Sequence, residues 1–117
     1  MEASRKDLRP AIARIWRGRT TADKAEEYAR YSHEHGIKPL AEKALGVQML
    51  REDRGEEVEF VTISYWESME AMSRFAGPDP RRIHHLERDP ELLIELPESV
   101  QVLELLAAFG RTGGEPG

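Results

Sequence analysis

Cysteine is absent from the 117 residues, which excludes disulfides, thiolate metal sites and a cysteine nucleophile. Asparagine is absent as well. No apolar run approaches the roughly 18–20 residues that span a bilayer as a helix. The opening Met1-Glu2-Ala3-Ser4-Arg5-Lys6-Asp7 lacks the apolar stretch of a secretory signal, so a cytoplasmic location without a membrane partner is expected. Positive charge is not in excess either: 17 Lys and Arg face 22 Asp and Glu, for a net charge of -5. A nucleic-acid binder normally carries a basic stripe that displaces phosphate counterions. Here Arg and Glu are interleaved, as in Arg51-Glu52-Asp53-Arg54, which describes a solvated mixed surface and no nucleic-acid partner. Also missing are a Gly-x-Ser-x-Gly elbow, a phosphate-cradling glycine loop and a dinucleotide fingerprint.

What remains is a globular composition, 39% apolar and 33% charged, of a length that organises one core. The pattern divides into a flexible arm over 1–10, a single domain over 11–106 and a disordered tail over 107–117. Residues 11–17 alternate with the period of a strand, Gly18-Arg19-Thr20 reads as a turn, and Thr20 or Thr21 is placed to cap a helix over 22–35. Ala25, Tyr28, Ala29 and Ser32 share one face of that helix, Gly36 suits its left-handed end, and Pro39 follows. A hairpin comes next: a strand over 46–52, a turn at Asp53-Arg54-Gly55-Glu56, and a second arm over 57–66. Ser68 caps a second helix running to Ala76, with Met69, Met72 and Phe75 on one face and Gly77 as its stop. Residues 81–96 read as a short helical turn and an irregular segment, and 99–106 as a last strand. The order strand, helix, strand, strand, helix, strand predicts an α+β, ferredoxin-like βαββαβ fold, a four-stranded antiparallel sheet with both helices on one face.

Two helices cover only one face of such a sheet, yet both faces are apolar. Val61, Ile63 and Tyr65 alternate with Val58, Phe60 and Trp66, Ala13 and Ile15 with Ile12 and Trp16, and Leu103 and Leu105 with Val100, Val102 and Leu106. A monomer usually tolerates an exposed apolar patch of only a few hundred square ångströms. A homodimer closed face to face, a dimeric α+β barrel, is therefore expected. Arg14, Thr62, Ser64 and Glu104 are assigned to the open face as scattered polar groups, and a mixed-lined cavity is expected between sheet and helix.

The run Ile63-Ser64-Tyr65-Trp66-Glu67-Ser68-Met69-Glu70-Ala71-Met72, closing on Phe75-Ala76-Gly77, resembles the strand-to-helix signature of antibiotic biosynthesis monooxygenase-like proteins. Tyr28 and Tyr31, Gly46-Val47-Gln48-Met49-Leu50-Arg51, and Asp89 followed by Leu92-Leu93 are similar too, so the likeness spans roughly residues 11–105. The resemblance implies the dimeric α+β barrel fold. It implies, in some members, cofactor-free oxygenation of aromatic polyketides and, in others, binding and degradation of haem. Active members commonly combine an asparagine near the sheet with a tryptophan and a histidine or arginine. Trp66 matches the tryptophan, and no residue of this chain matches the asparagine.

Trp66, Trp16, Tyr28, Tyr31 and Phe75 are expected to wall a pocket for a small hydrophobic or aromatic ligand, with Arg14 pairing with a carboxylate such as Glu104 or facing an anionic ligand. His84 and His85 are the expected general bases, since a histidine near neutral pH takes a proton from a phenol or enol. No metal is expected. His33 and His35 are two apart and point to different helix faces, while His85 and Asp89, four apart, are only two ligands. The reading is a cofactor-independent monooxygenase-like dimer with no bound cofactor. The alternatives are a non-catalytic dimeric ligand-binding module and a haem-binding protein.

Overall fold

The computed structural model describes residues 9–79 and 81–109; residues 1–8 of the expected arm and 110–117 of the expected tail lie outside them. Four antiparallel strands form one sheet in the order β2-β3-β1-β4: β1 (Ile12–Thr21), β2 (Gly46–Asp53), β3 (Glu57–Trp66) and β4 (Gln101–Glu104). β1 pairs with β3 along its whole length, from Ile12 opposite Trp66 to Thr21 opposite Glu57, and with β4 from Ile12 opposite Glu104 to Ile15 opposite Gln101. Helices α1 (Ala25–Ser32), α2 (Lys38–Ala41), α3 (Met69–Ala76) and α4 (Asp89–Leu92) complete the ferredoxin-like order. None of the described helices is long and apolar enough to cross a membrane.

β3 shows the two-residue period without interruption: Val58, Phe60, Thr62, Ser64 and Trp66 are buried while the intervening residues are half-exposed. On that covered face lie two packed clusters. Ala25 and Tyr28 of α1 meet Val58 and Phe60, joined by Leu92 and Leu93; Leu40, Ala44 and Met72 meet Trp66. The opposite face presents Ile15, Val61, Ile63 and Tyr65, with Leu50 at 47% and Leu103 at 44% exposure. Directly opposed residues share a face, so the pairs Arg14 with Ser64, Trp16 with Thr62 and Ile12 with Glu104 put all four scattered polar residues on the covered side. The expectation that they dot the open face is corrected by register.

The helix caps and hairpin follow local chemistry. Ser68 Oγ accepts the Ala71 N–H at 3.0 Å, and Gly77 ends α3 with φ +91°. Gly55, with φ +81°, makes the hairpin turn. Thr21 stands before the first helical residues, which begin as a 3₁₀ turn, and its side chain makes no capping bond.

At two glycines the structure departs from the expected breaks. β1 does not turn at Gly18 but runs on to Thr21, with Gly18 paired to Phe60. The missing side chain is filled by Trp16: a Cβ at Gly18 would overlap the indole edge, lying 2.8 Å from its Cζ2. Gly36 likewise does not end the helix in a left-handed residue. The chain widens at His33–Ile37 into a π turn, where the Lys38 N–H bonds back five residues to the His33 carbonyl, and α2 continues with Pro39 in its first turn. Pro39 has no N–H to satisfy there, and the widened turn accommodates it. The last strand is shorter than expected, 101–104 instead of 99–106.

Candidate functional site

Between the covered sheet face and the helices lies a cavity of about 280 Å³, near the lower end of small-molecule sites. β1 contributes Arg14 and Trp16 because they are two apart, and β3 contributes Thr62 and Ser64 opposite them. α1 and the π turn add Tyr28, Ser32 and His35, and α3 adds Phe75. The chain after Gly77 supplies Ile83, His84 and Leu86, and α4 supplies Asp89.

Its aromatic walls are ordered by stacking. Trp16 lies nearly parallel to Tyr28, with ring centroids 6.3 Å apart and planes 18° apart, and Tyr28 tilts onto Phe60 at 5.2 Å. Phe75 stacks on Trp66 at 5.4 Å and 28°, and carries the Arg14 guanidinium 5.8 Å above its ring. Burial lowers the Arg14 pKa from its ordinary value. One guanidinium nitrogen donates to the Arg82 carbonyl at 2.9 Å, while Glu104 stands exposed on the edge strand.

The one carboxylate in this lining, among the described residues, is Asp89. Only 3% of its surface is exposed. Oδ2 accepts the Leu86 N–H at 3.0 Å, closing the turn into α4, whereas Oδ1 is buried with no hydrogen-bond partner among the described residues. Burial pushes the Asp89 carboxyl above the usual carboxylate range, and the Leu86 N–H, the charge of His85 and the Tyr28 hydroxyl act against that push. The Tyr28 hydroxyl stands beside the same carboxylate and interacts with it, though too loosely to count as a hydrogen bond to Oδ1. Burial first, then the carboxylate's charge, drives the Tyr28 hydroxyl well above its ordinary value, so it stays protonated.

Of the residues singled out from sequence, Arg14, Trp16, Tyr28, Phe75 and His84 line the cavity. Three stand outside its lining. Trp66 is buried behind Phe75, its Nε1 donating to Ser64 Oγ at 3.0 Å, and its other side borders a separate recess with Lys43 and Arg74. The Tyr31 hydroxyl accepts the Arg88 N–H at 2.8 Å, and the Arg88 guanidinium lies over the Tyr31 ring and bonds to Glu27 at 2.7 Å. Tyr31 thus fastens α1 to the chain entering α4. His85 is exposed. His84 is also exposed; its Nε2 donates to the Ala76 carbonyl at 3.2 Å. His35, which shares the helical stripe of Tyr28 and Tyr31, also joins the wall, while Asp89 was missed as a wall residue. The signal for Asp89 was a carboxylate preceding the apolar pair Leu92-Leu93. Among the described residues no three His, Asp or Glu side chains gather as a metal site needs.

No family model matches the chain, and no curated protein does. Solved structures that share its fold include the following two. A protein of unknown function from Nitrosomonas europaea aligns with a TM-score of 0.58 at 17% identity, over 89% of this chain and 97% of that one. A monooxygenase from Streptomyces coelicolor, in complex with the ligand Nanaomycin D, aligns with a TM-score of 0.55 at 15% identity, over 94% of this chain and 100% of that one. At such identities what is common is the ferredoxin-like βαββαβ architecture, a sheet with its helices on one face.

Proposed function

We propose that the chain is a cofactor-independent, monooxygenase-like protein that works as a homodimer on a small aromatic molecule. The observation that carries the reading is the cavity itself: an aromatic-walled space of about 280 Å³ with Arg14, His84 and Asp89 in its lining. A flat ring fits between stacked aromatic side chains. The chemistry asks for little else. A base removes a proton from a phenol or enol, and the electron-rich carbanion reacts with oxygen directly. For a methylene flanked by aromatic rings, the carbon is oxidised to a carbonyl with one oxygen atom, and the second atom leaves as water with the two methylene hydrogens. Arg14, in the same lining, supplies positive charge to offset the oxyanion formed on proton loss. The open apolar face, with Leu50 and Leu103 prominent, supports pairing with a second copy. The fold shared with a monooxygenase that holds an organic ligand supports the same reading.

The test is oxygen uptake on anthrone-like phenols. One oxygen consumed per anthrone, faster than spontaneous oxidation and slowed by Phe75→Ala, supports the proposal. Uptake no faster than with heat-inactivated protein overturns it. His84→Ala and His85→Ala separate the bases; full activity in both removes the histidines from that role. A second reading, a non-catalytic ligand-binding module, is favoured by the absence of any asparagine. It is distinguished by retention of the phenol without turnover.

A further inference from the structure

Resting on the reading of the cavity as an aromatic-ligand site, we propose that Asp89 is the residue that receives the ligand's hydroxyl and takes its proton. The cavity then selects hydroxylated aromatics, phenols or enols, over rings that carry no donor.

The inference starts from the two oxygens of one carboxylate. Oδ2 has a structural task, accepting the Leu86 N–H at 3.0 Å. Oδ1 has none: it is buried in a residue of the cavity wall and has no hydrogen-bond partner among the described residues. A buried carboxylate oxygen left without a donor is costly, because desolvation is uncompensated. A hydroxyl presented from the cavity removes that cost, and a ring bearing only an ether or a hydrocarbon edge cannot.

The other ionisable groups of the wall fit the role less well. Tyr28 is held protonated by burial and by the neighbouring carboxylate, so it can donate but not accept the proton. The Nε2 of His84 is committed to the Ala76 carbonyl, and both His84 and His35 are exposed, where water competes. Asp89 is buried, and burial raises its proton affinity above that of an ordinary carboxylate, bringing it nearer to that of the acid it must deprotonate. In the step itself the ligand O–H bond breaks, its proton forms a new bond to Oδ1, and the electron pair stays on the ligand oxygen as a phenolate or enolate. Arg14, in the same wall, carries the positive charge that stabilises that anion.

The probes are 2-naphthol and its methyl ether, 2-methoxynaphthalene, with retention by the full chain measured in equilibrium dialysis. The variant is Asp89→Asn, which preserves shape. The Leu86 N–H still requires an acceptor, so the amide oxygen takes the place of Oδ2 and its NH₂ group the place of Oδ1, a donor that cannot receive a hydroxyl. Wild type should hold the naphthol about tenfold or more tighter than the ether, as expected for a hydrogen bond to a charged acceptor. The variant should lose that preference while keeping its circular dichroism. Turnover of an anthrone should fall about 10²-fold or more in kcat, as for a lost general base, with KM raised as the acceptor for the hydroxyl is lost. Equal retention of the two probes by wild type, or a preference that survives Asp89→Asn, overturns the role of Asp89 and leaves the cavity reading standing. Retention of neither probe by folded wild type removes the cavity reading and this inference together.

Discussion

Gly18 offers the sharpest quantitative test of the packing around the cavity. In Gly18→Ala the new methyl falls on the indole of Trp16, 2.8 Å from Cζ2 and closer still to Cη2. Gly18 has no positive φ, so alanine meets no backbone strain and the whole cost is steric. Trp16 cannot step aside freely, because its ring stacks on Tyr28 at 6.3 Å and packs against the cluster holding Val58 and Phe60. Losing such a stack costs about 0.5–1.5 kcal/mol beyond the burial, and overpacking a close-packed site typically costs about 1–3 kcal/mol in total. For a domain near this size, roughly 4 °C per kcal/mol puts the fall in melting temperature at roughly 4–12 °C. Thermal melts by circular dichroism measure it, and a double-mutant cycle assigns it. With Trp16→Leu the obstructing ring is gone, and Gly18→Ala should become nearly neutral there. Equal destabilisation in both backgrounds, or no destabilisation in wild type, would refute the account of this glycine as the seat of the indole.

Three further outcomes follow from other parts of the molecule. Light scattering should find wild type at twice the 13.4 kDa chain mass, and Ile63→Glu, placing charge on the open sheet face, should return a folded 13.4 kDa species; a 13.4 kDa wild type at working concentration defeats the barrel. Ser68→Ala should cost about 1 kcal/mol of stability through loss of the α3 cap, and Ser68→Asp should restore most of it; no change on the alanine substitution would mean the cap bond carries no weight. Because burial raises Asp89 above the ordinary 3.8, folding disfavours its ionised form relative to the unfolded chain. The stability it contributes is complete below the unfolded value and is lost as pH rises through the folded one. Asp89→Asn cannot ionise, so the gap in melting temperature between variant and wild type should widen from acid toward neutral pH. A constant gap across that range contradicts the assignment.

Much of the fold was legible because it is local. The alternation of β3 marks its strand and its two faces. Ser68 and Gly77 bound α3 because a hydroxyl three residues before an amide, and a residue free to take positive φ, act within one turn. Gly55 makes its hairpin for the same reason. Gly18 and Gly36 look the same on paper and do otherwise. At Gly18 the missing side chain admits a ring from two residues earlier on the same strand face. At Gly36 a Cβ would lie 3.3 Å from Leu86 Cδ1, a contact made by chain fifty residues away. A glycine licenses a turn, but only its neighbours in space say whether that freedom or the missing volume is used.

The site divides in the same way. Sequence alone determined the ferredoxin-like order, the two-faced apolar sheet and the aromatic character of the residues that gather around Trp16, Tyr28 and Phe75. Tertiary structure decided which face Arg14 occupies, that Trp66 stands behind Phe75 instead of in the cavity wall, and that Asp89 joins Tyr28 from 61 positions away. The physical reason is range. Periodicity and capping are set by residues within a turn or a pleat of one another. The burial of one carboxylate oxygen, and the lack of any donor to meet it, depend on how four separate segments close around a common space.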